Sequence, residues 1–191
     1  MSVRQIVELG DPVLRERARE VSREELASPA TQQLIDDLIE TKRLANGAGI
    51  AANQVGEPLR IAVAEVQAPN PRYPYKPPIP LTVMVNPVVE PLDEETVEIN
   101  EGCLSVPNLR GALQRHVNVT VRYLDRDGRE RTEVKRGLTA GTFQHEVDHL
   151  NGVLFVDCAD PRTLATWEQF ERHQRDQFVE RIDAFVARVG S

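Results

Sequence analysis

The chain has 191 residues, with 23 Lys+Arg against 30 Asp+Glu for a formal net charge of −7. At 40% hydrophobic and 28% charged it has the composition of an ordinary globular protein, and the length predicts one domain over residues 1–191 with a core of its own. Two cysteines exclude a disulfide-rich scaffold, the absence of an apolar run of about 18 residues excludes a transmembrane helix, and the acidic balance argues against specific binding of nucleic acid. The first twenty residues have no apolar core of signal-peptide length and carry acids that transit peptides avoid, so the sequence predicts a cytoplasmic, reducing setting.

In chain order, residues 28–46 read as an amphipathic helix. Ser28 is its cap, Pro29 its first residue and Gly47 its stop, and Leu34, Ile35, Leu38 and Ile39 recur at helical spacing. The small-residue segment 47–54 follows, then a strand over 60–66. Residues 67–80 hold six prolines and read as a surface loop; 81–87 reads as a strand that Pro87 ends. Residues 117–136 alternate around Asp127-Gly128, a hairpin signal. Residues 138–150 predict a helix weakened by Gly141, and Asp160-Pro161 opens a last helix whose apolar face carries Leu164, Trp167, Phe178, Ile182, Phe185 and Val189. Without a strand–helix–strand rhythm, the fold class is α+β.

Chemistry concentrates in residues 144–152, QHEVDHLNG. His145-Glu146-x-x-His149 lies in a helical stretch, and four-residue spacing puts both imidazoles on one face, able to grip one metal ion. Composition alone yields roughly 0.008 such matches by chance. Glu146 is placed beside the first ligand to take a proton from water on the metal. A catalytic site needs a third ligand. Phe155 stands where one protease class has its third histidine; Glu168 or Glu171 would complete a zinc endopeptidase site; Cys103, in NEGCLSVPN, offers a thiolate. Taken alone, Cys103 is more often a buried small hydrophobe, and Cys158, among apolar neighbours, reads as one.

Three segments together narrow the choice. Gly47-Ala48-Gly49-Ile50-Ala51-Ala52-Asn53-Gln54, Glu101-Gly102-Cys103-Leu104-Ser105 and Gln144-His145-Glu146-Val147-Asp148-His149 follow one another in this order. Together they resemble the three signature motifs of peptide deformylases. That resemblance implies antiparallel or mixed sheets packed around a central metal-binding helix, with a C-terminal helix. It implies removal of the formyl group from the formyl-methionine of nascent polypeptides. Cys103, His145 and His149 would bind the metal, Fe(II) natively with Zn(II), Ni(II) or Co(II) as substitutes. Glu146 would be the general base and acid, while the Gln54 amide and the Leu104 N–H would stabilise the oxyanion. Gly49, Gly102 and Arg110 would lie along an extended peptide, and Glu101 and Asp148 could orient a histidine or an arginine. A formyl-peptide-binding module without catalysis is the third alternative; the presence of Gln54, Cys103 and Glu146 speaks against it.

The chain departs from the family pattern at Ala48, Gly141 and Thr142, where larger side chains are usual. These predict a roomier or reshaped pocket for the first side chain, and the proline-rich loop 67–80, longer than in the shorter family members, is expected to border the peptide groove. Five Arg against five acids in residues 161–191 predict no strong electrostatic docking on the ribosome, and a monomer is the family default.

Overall fold

The computed structural model describes residues 2–68 and 75–190. A short helix α1 (Arg23–Ala27) leads into α2 (Pro29–Leu44). The Ser28 side chain accepts from the Thr31 N–H, and Pro29, which has no N–H to lose, occupies the first turn. The helix stops before Gly47: Ala45 caps it and Asn46 takes the left-handed conformation, φ 52°.

Two antiparallel sheets follow. The larger runs in the order β1 (Gly49–Ala51), β2 (Ile61–Val66), β3 (Ile79–Pro91), β6 (Asn118–Leu124), β7 (Glu130–Arg136); the smaller pairs β4 (Thr96–Cys103) with β5 (Val106–His116). Strand β2 is buried on both faces because a helix covers each. Ile61 and Val63 pack with Leu34, Ile35, Leu38 and Ile39 of α2. Ala62 and Ala64, pointing the other way, pack with Ala140, Phe143 and Leu150 of α3 (Gly137–Leu150). Small residues at this second interface let α3 approach the sheet closely.

Pro87 does not end its strand. Strand β3 continues to Pro91 through a register shift between Val85 and Val88, with Asn86 at φ 53°. The bulge gives the proline a position that owes no ladder hydrogen bond, and the Asn86 amide instead pairs with the backbone of Val21. The hairpin expected at Asp127-Gly128 joins β6 and β7, with Gly128 at φ 77°. Of the proline-rich loop, residues 69–74 lie outside the described residues, while Ile79 and Pro80 already belong to β3. The single terminal helix expected from Asp160 is broken. Asp160 caps only a turn at Pro161–Thr163, Thr166 caps α5 (Trp167–His173), and α6 spans Arg175–Val189. A four-residue helix, α4 (Phe155–Cys158), precedes them, and Cys158 at its end is exposed rather than buried as its neighbours suggested.

An ion triad around the buried Glu65 holds the start of the 47–54 segment. Lys42 Nζ lies 3.0 Å from Glu65 Oε2, with both side chains almost fully buried, and Arg43 grips the same carboxylate at 2.8–2.9 Å. Lys42 also donates to the Gly47 carbonyl. The Arg43 hydrogen bonds hold Glu65 at about 2, against burial and with help from Lys42. A depressed carboxylate stabilises the fold above its unfolded pKa, and the contribution is lost as pH falls toward about 2. Discounting for the exposure of Arg43, Glu65→Gln costs about 2–3 kcal/mol in urea denaturation at pH 7 and progressively less below about pH 4.

Candidate metal centre

Helix α3 carries His145 and His149 one turn apart, their ring centroids 5.0 Å from each other. Cys103 ends β4 and meets them, with Sγ 3.1 Å from His149 Nε2. One ligand atom from each of the three lies within 4.8 Å of the others. The C-terminus of α3 is fixed from outside: Asn53 donates to the His149 carbonyl at 2.6 Å, and Arg60 and the Ala18 N–H donate to that of Leu150. The Cys103 thiol is fixed by the Ser105 N–H at 3.3 Å and by Gln54 Nε2 at 3.6 Å.

Behind the donors runs a chain of charges. His145 Nδ1 lies 2.8 Å from Glu101 Oε2, the Glu101 carboxylate takes two bonds from Arg115, and Arg115 also reaches Asp148. Glu101 thus orients a histidine and Asp148 an arginine. With Nδ1 engaged, His145 turns Nε2 toward the thiol. Burial opposes ionisation of Cys103, yet His149 and His145 outweigh it and bring the thiol down to about 5. A thiolate and two imidazoles form a donor set suited to a borderline-soft divalent cation, and the negative charge that attracts a proton to His145 would equally attract that cation. The residues present therefore fit a metal ion.

Glu146 faces the same cleft, 3% exposed, and its Oε2 has no hydrogen-bond partner among the described residues. Burial raises its pKa above the ordinary range, against the pull of His145 and His149. Its carboxylate lies so close to β1 that a Cβ on Gly49 would sit 2.2 Å from Oε1. Gly49→Ala should therefore lower kcat/KM by about 100-fold with metal content unchanged, because the carboxylate must move to make room. Paired metal analysis and steady-state kinetics check this.

Gln54, Leu104, Gly49 and Gly102 all line this cleft, which encloses about 50 Å³. The Gln54 carbonyl oxygen accepts from the Ala51 N–H at 2.8 Å, so its amide nitrogen is directed toward Cys103 and Ser105. Three expectations need correction. Arg110 is 1% exposed, sandwiched between Trp167 and Phe170 at 4.2 and 4.3 Å and bonded to Asn100, so it anchors α5 against β5 instead of offering itself to a peptide. Glu168 and Glu171 are exposed on α5 in ion pairs with Arg172 and Arg175, so neither joins the histidines. Gly141 does not enlarge the pocket: a Cβ there would meet Ile99 Cδ1 at 2.7 Å, so Ile99 takes the space. Sequence reasoning missed Arg115, whose charge alone gave no hint of its partners. It also missed Tyr75, Lys76 and Phe178, which line the cleft from the proline-rich loop and α6. Burial draws the Lys76 ammonium down to about 8, against the nearby Glu101 and Glu146 carboxylates.

The family model for polypeptide deformylase matches residues 3–165. The chain belongs to the peptide deformylase family. Metal-dependent removal of the N-formyl group from nascent formyl-methionyl peptides is that family's function. Peptide deformylase 2 of Nostoc sp. is 46% identical over 152 residues, 80% of this chain and 83% of that protein. Peptide deformylase 1A of Arabidopsis thaliana, chloroplastic/mitochondrial, is 42% identical over 87% of this chain and 65% of its own. Among solved structures, a class I type b deformylase from Acinetobacter baumannii bound to Met-Ala-Ser superposes with a TM-score of 0.79 at 41% identity, covering 82% of this chain and 98% of that one. The α+β fold expected from the sequence is the fold of these deformylases, with every sheet ladder antiparallel.

Proposed function

We propose that Cys103, His145 and His149 hold one divalent ion, Fe(II) in the cell with Zn(II), Ni(II) or Co(II) as substitutes, and that the chain deformylates nascent formyl-methionyl peptides with it. The ion, when bound, lowers the pKa of water so that hydroxide is available near neutral pH. Glu146 takes the proton and returns it to the leaving amine; a buried carboxyl with a raised pKa suits both transfers. The Gln54 amide, its rotamer set by Ala51, and the Leu104 N–H in the turn after Cys103 would stabilise the oxyanion that develops on the formyl oxygen when the formyl carbon is attacked. One such donor contributes about 3–4 kcal/mol. The backbones at Gly49 and Gly102 edge the cleft, where an extended peptide adds to the strands.

The observation that carries this reading is the meeting of Cys103 with His145 and His149 from two elements distant in sequence, with Cys103, His145 and Glu146 lining one cleft. The Met-Ala-Ser bound to the Acinetobacter baumannii relative supports the substrate class. We further propose one domain over residues 1–191, acting as a cytoplasmic monomer that meets the ribosome without strong electrostatic docking and requires no membrane or specific nucleic acid. No helix of the described residues is long and apolar enough to cross a membrane. Anaerobic assay on a formyl-Met peptide, with metal analysis of the same sample, tests the activity. Turnover with Fe(II) loaded is expected; full iron occupancy without turnover would refute it.

A further inference from the structure

The cleft runs from the three donors along α3. Leu138, Thr142 and His145 recur on one face of that helix, which puts Leu138 about 10 Å along the axis from His145. At that far end the large side chains are apolar: Leu138, Ile99 seated over Gly141, and Phe178 of α6, all in one core cluster. Phe178 comes from beyond residue 165, where the family match ends. It is 6% exposed, and its ring is held edge-on by Tyr75 at 5.2 Å and by Phe170 of α5 at 5.6 Å, so the wall it presents is fixed. The ring also borders a second space. Phe178 and Asn100 line both the cleft and a hollow of about 460 Å³, which Arg162, Gln174 and Arg181 line as well. The Arg181 guanidinium lies 5.8 Å from the centre of the ring. One aromatic ring therefore stands between two cavities.

With the formyl group at the donors, an apolar first side chain is stabilised by entering the apolar end of the cleft. We infer that Phe178 is a specificity-determining residue: it closes the far end of the pocket for the first side chain and limits that side chain to about the length of methionine. The terminal helix α6, rather than the helix that carries the histidines, sets this limit. A longer unbranched chain meets the ring, and packing by Tyr75 and Phe170 leaves the ring no room to step aside. A smaller residue at position 178 joins the pocket to the hollow beyond it, so that a longer chain passes instead of clashing. The inference rests on the deformylase reading for which group enters the pocket, but not for the partition itself.

The test compares formyl-Met-Ala-Ser with formyl-2-aminooctanoyl-Ala-Ser, whose unbranched first side chain is two atoms longer. The proteins are the wild type, Phe178→Leu, Phe178→Ala and, as a control, Phe185→Leu. Phe185 is buried in the same cluster as Phe178 but does not line the cleft. The readout is the ratio of kcat/KM values, together with the ratio of affinities for the two unformylated tripeptides by calorimetry. The wild type is expected to favour the methionine peptide by at least about 100-fold, since one methylene in a fitted apolar pocket changes discrimination by roughly 10–200-fold. Phe178→Leu should reduce that preference by at least about tenfold and Phe178→Ala by more, chiefly through KM of the longer peptide, while Phe185→Leu leaves it unchanged. A preference unmoved in both Phe178 variants, a wild-type preference below about tenfold, or an equal loss in Phe185→Leu would overturn the inference. Absence of turnover at full metal occupancy, with the affinity ratios behaving as expected, would refute the deformylase reading and leave the partition supported.

Discussion

Glu146→Ala is expected to lower kcat by roughly 10²–10⁴-fold, the range for losing a positioned general base, while metal content stays at the wild-type level. The expectation follows from where the carboxylate sits. Oε2 is buried without a hydrogen-bond partner among the described residues, Oε1 is pressed against β1 at Gly49, and neither oxygen is part of the three-donor group. Removing the side chain therefore takes away proton transfer and leaves the metal ligands in place. Glu146→Gln keeps the shape and should lose nearly as much, which separates proton transfer from packing. A general base works deprotonated, so activity rises with pH through its pKa. Because burial raises Glu146, the acid limb of kcat/KM should lie above the ordinary glutamate range and disappear in Glu146→Gln. Loss of metal from either variant would mean that Glu146 is structural.

The part of the site readable from sequence is the part encoded locally. His145, Glu146 and His149 show themselves because one helical turn separates them, so spacing implies proximity. Cys103, Gln54 and Glu101 stand where the motif resemblance led, but no period links them to α3. Their convergence depends on β4 ending beside the helix. Strands β4 and β5 carry the charged Glu98, Glu101, Arg110 and Arg115, and no periodic pattern marks either strand in the sequence. Arg110 and Arg115 are buried nonetheless, because the residues that neutralise or stack on them arrive from Asp148, Trp167 and Phe170, far along the chain. The misreading at Gly141 has the same origin. A missing side chain means an open pocket only if nothing else fills it, and Ile99 does, from a strand forty residues earlier. Pro87 ends a regular strand by local rules; a bulge built with Asn86 and Val21 removes the need for its N–H.

The second large effect is expected at Cys103, where Cys103→Ala should reduce metal affinity by well over 100-fold and abolish deformylation in proportion. Removing an outer-shell partner typically costs 10–100-fold, and a direct ligand contributes more. The thiolate here is the only anionic donor of the three, held ionised near neutral pH by His149 and His145, so its loss leaves two imidazoles and no charge to balance the cation. Glu168 and Glu171 do not replace it, since both are committed to arginines on the exposed face of α5. Glu101→Gln should fall between wild type and Cys103→Ala. It leaves all three donors but loosens the orientation of His145 and takes from Arg115 one of its two carboxylate partners, so that less of its positive charge is balanced near the ion. The ranking Cys103→Ala below Glu101→Gln below wild type, measured as metal affinity by competition with a chelator and as kcat/KM on the same samples, discriminates the assignments. Full metal content and turnover in Cys103→Ala would place the third ligand elsewhere and overturn the centre described above.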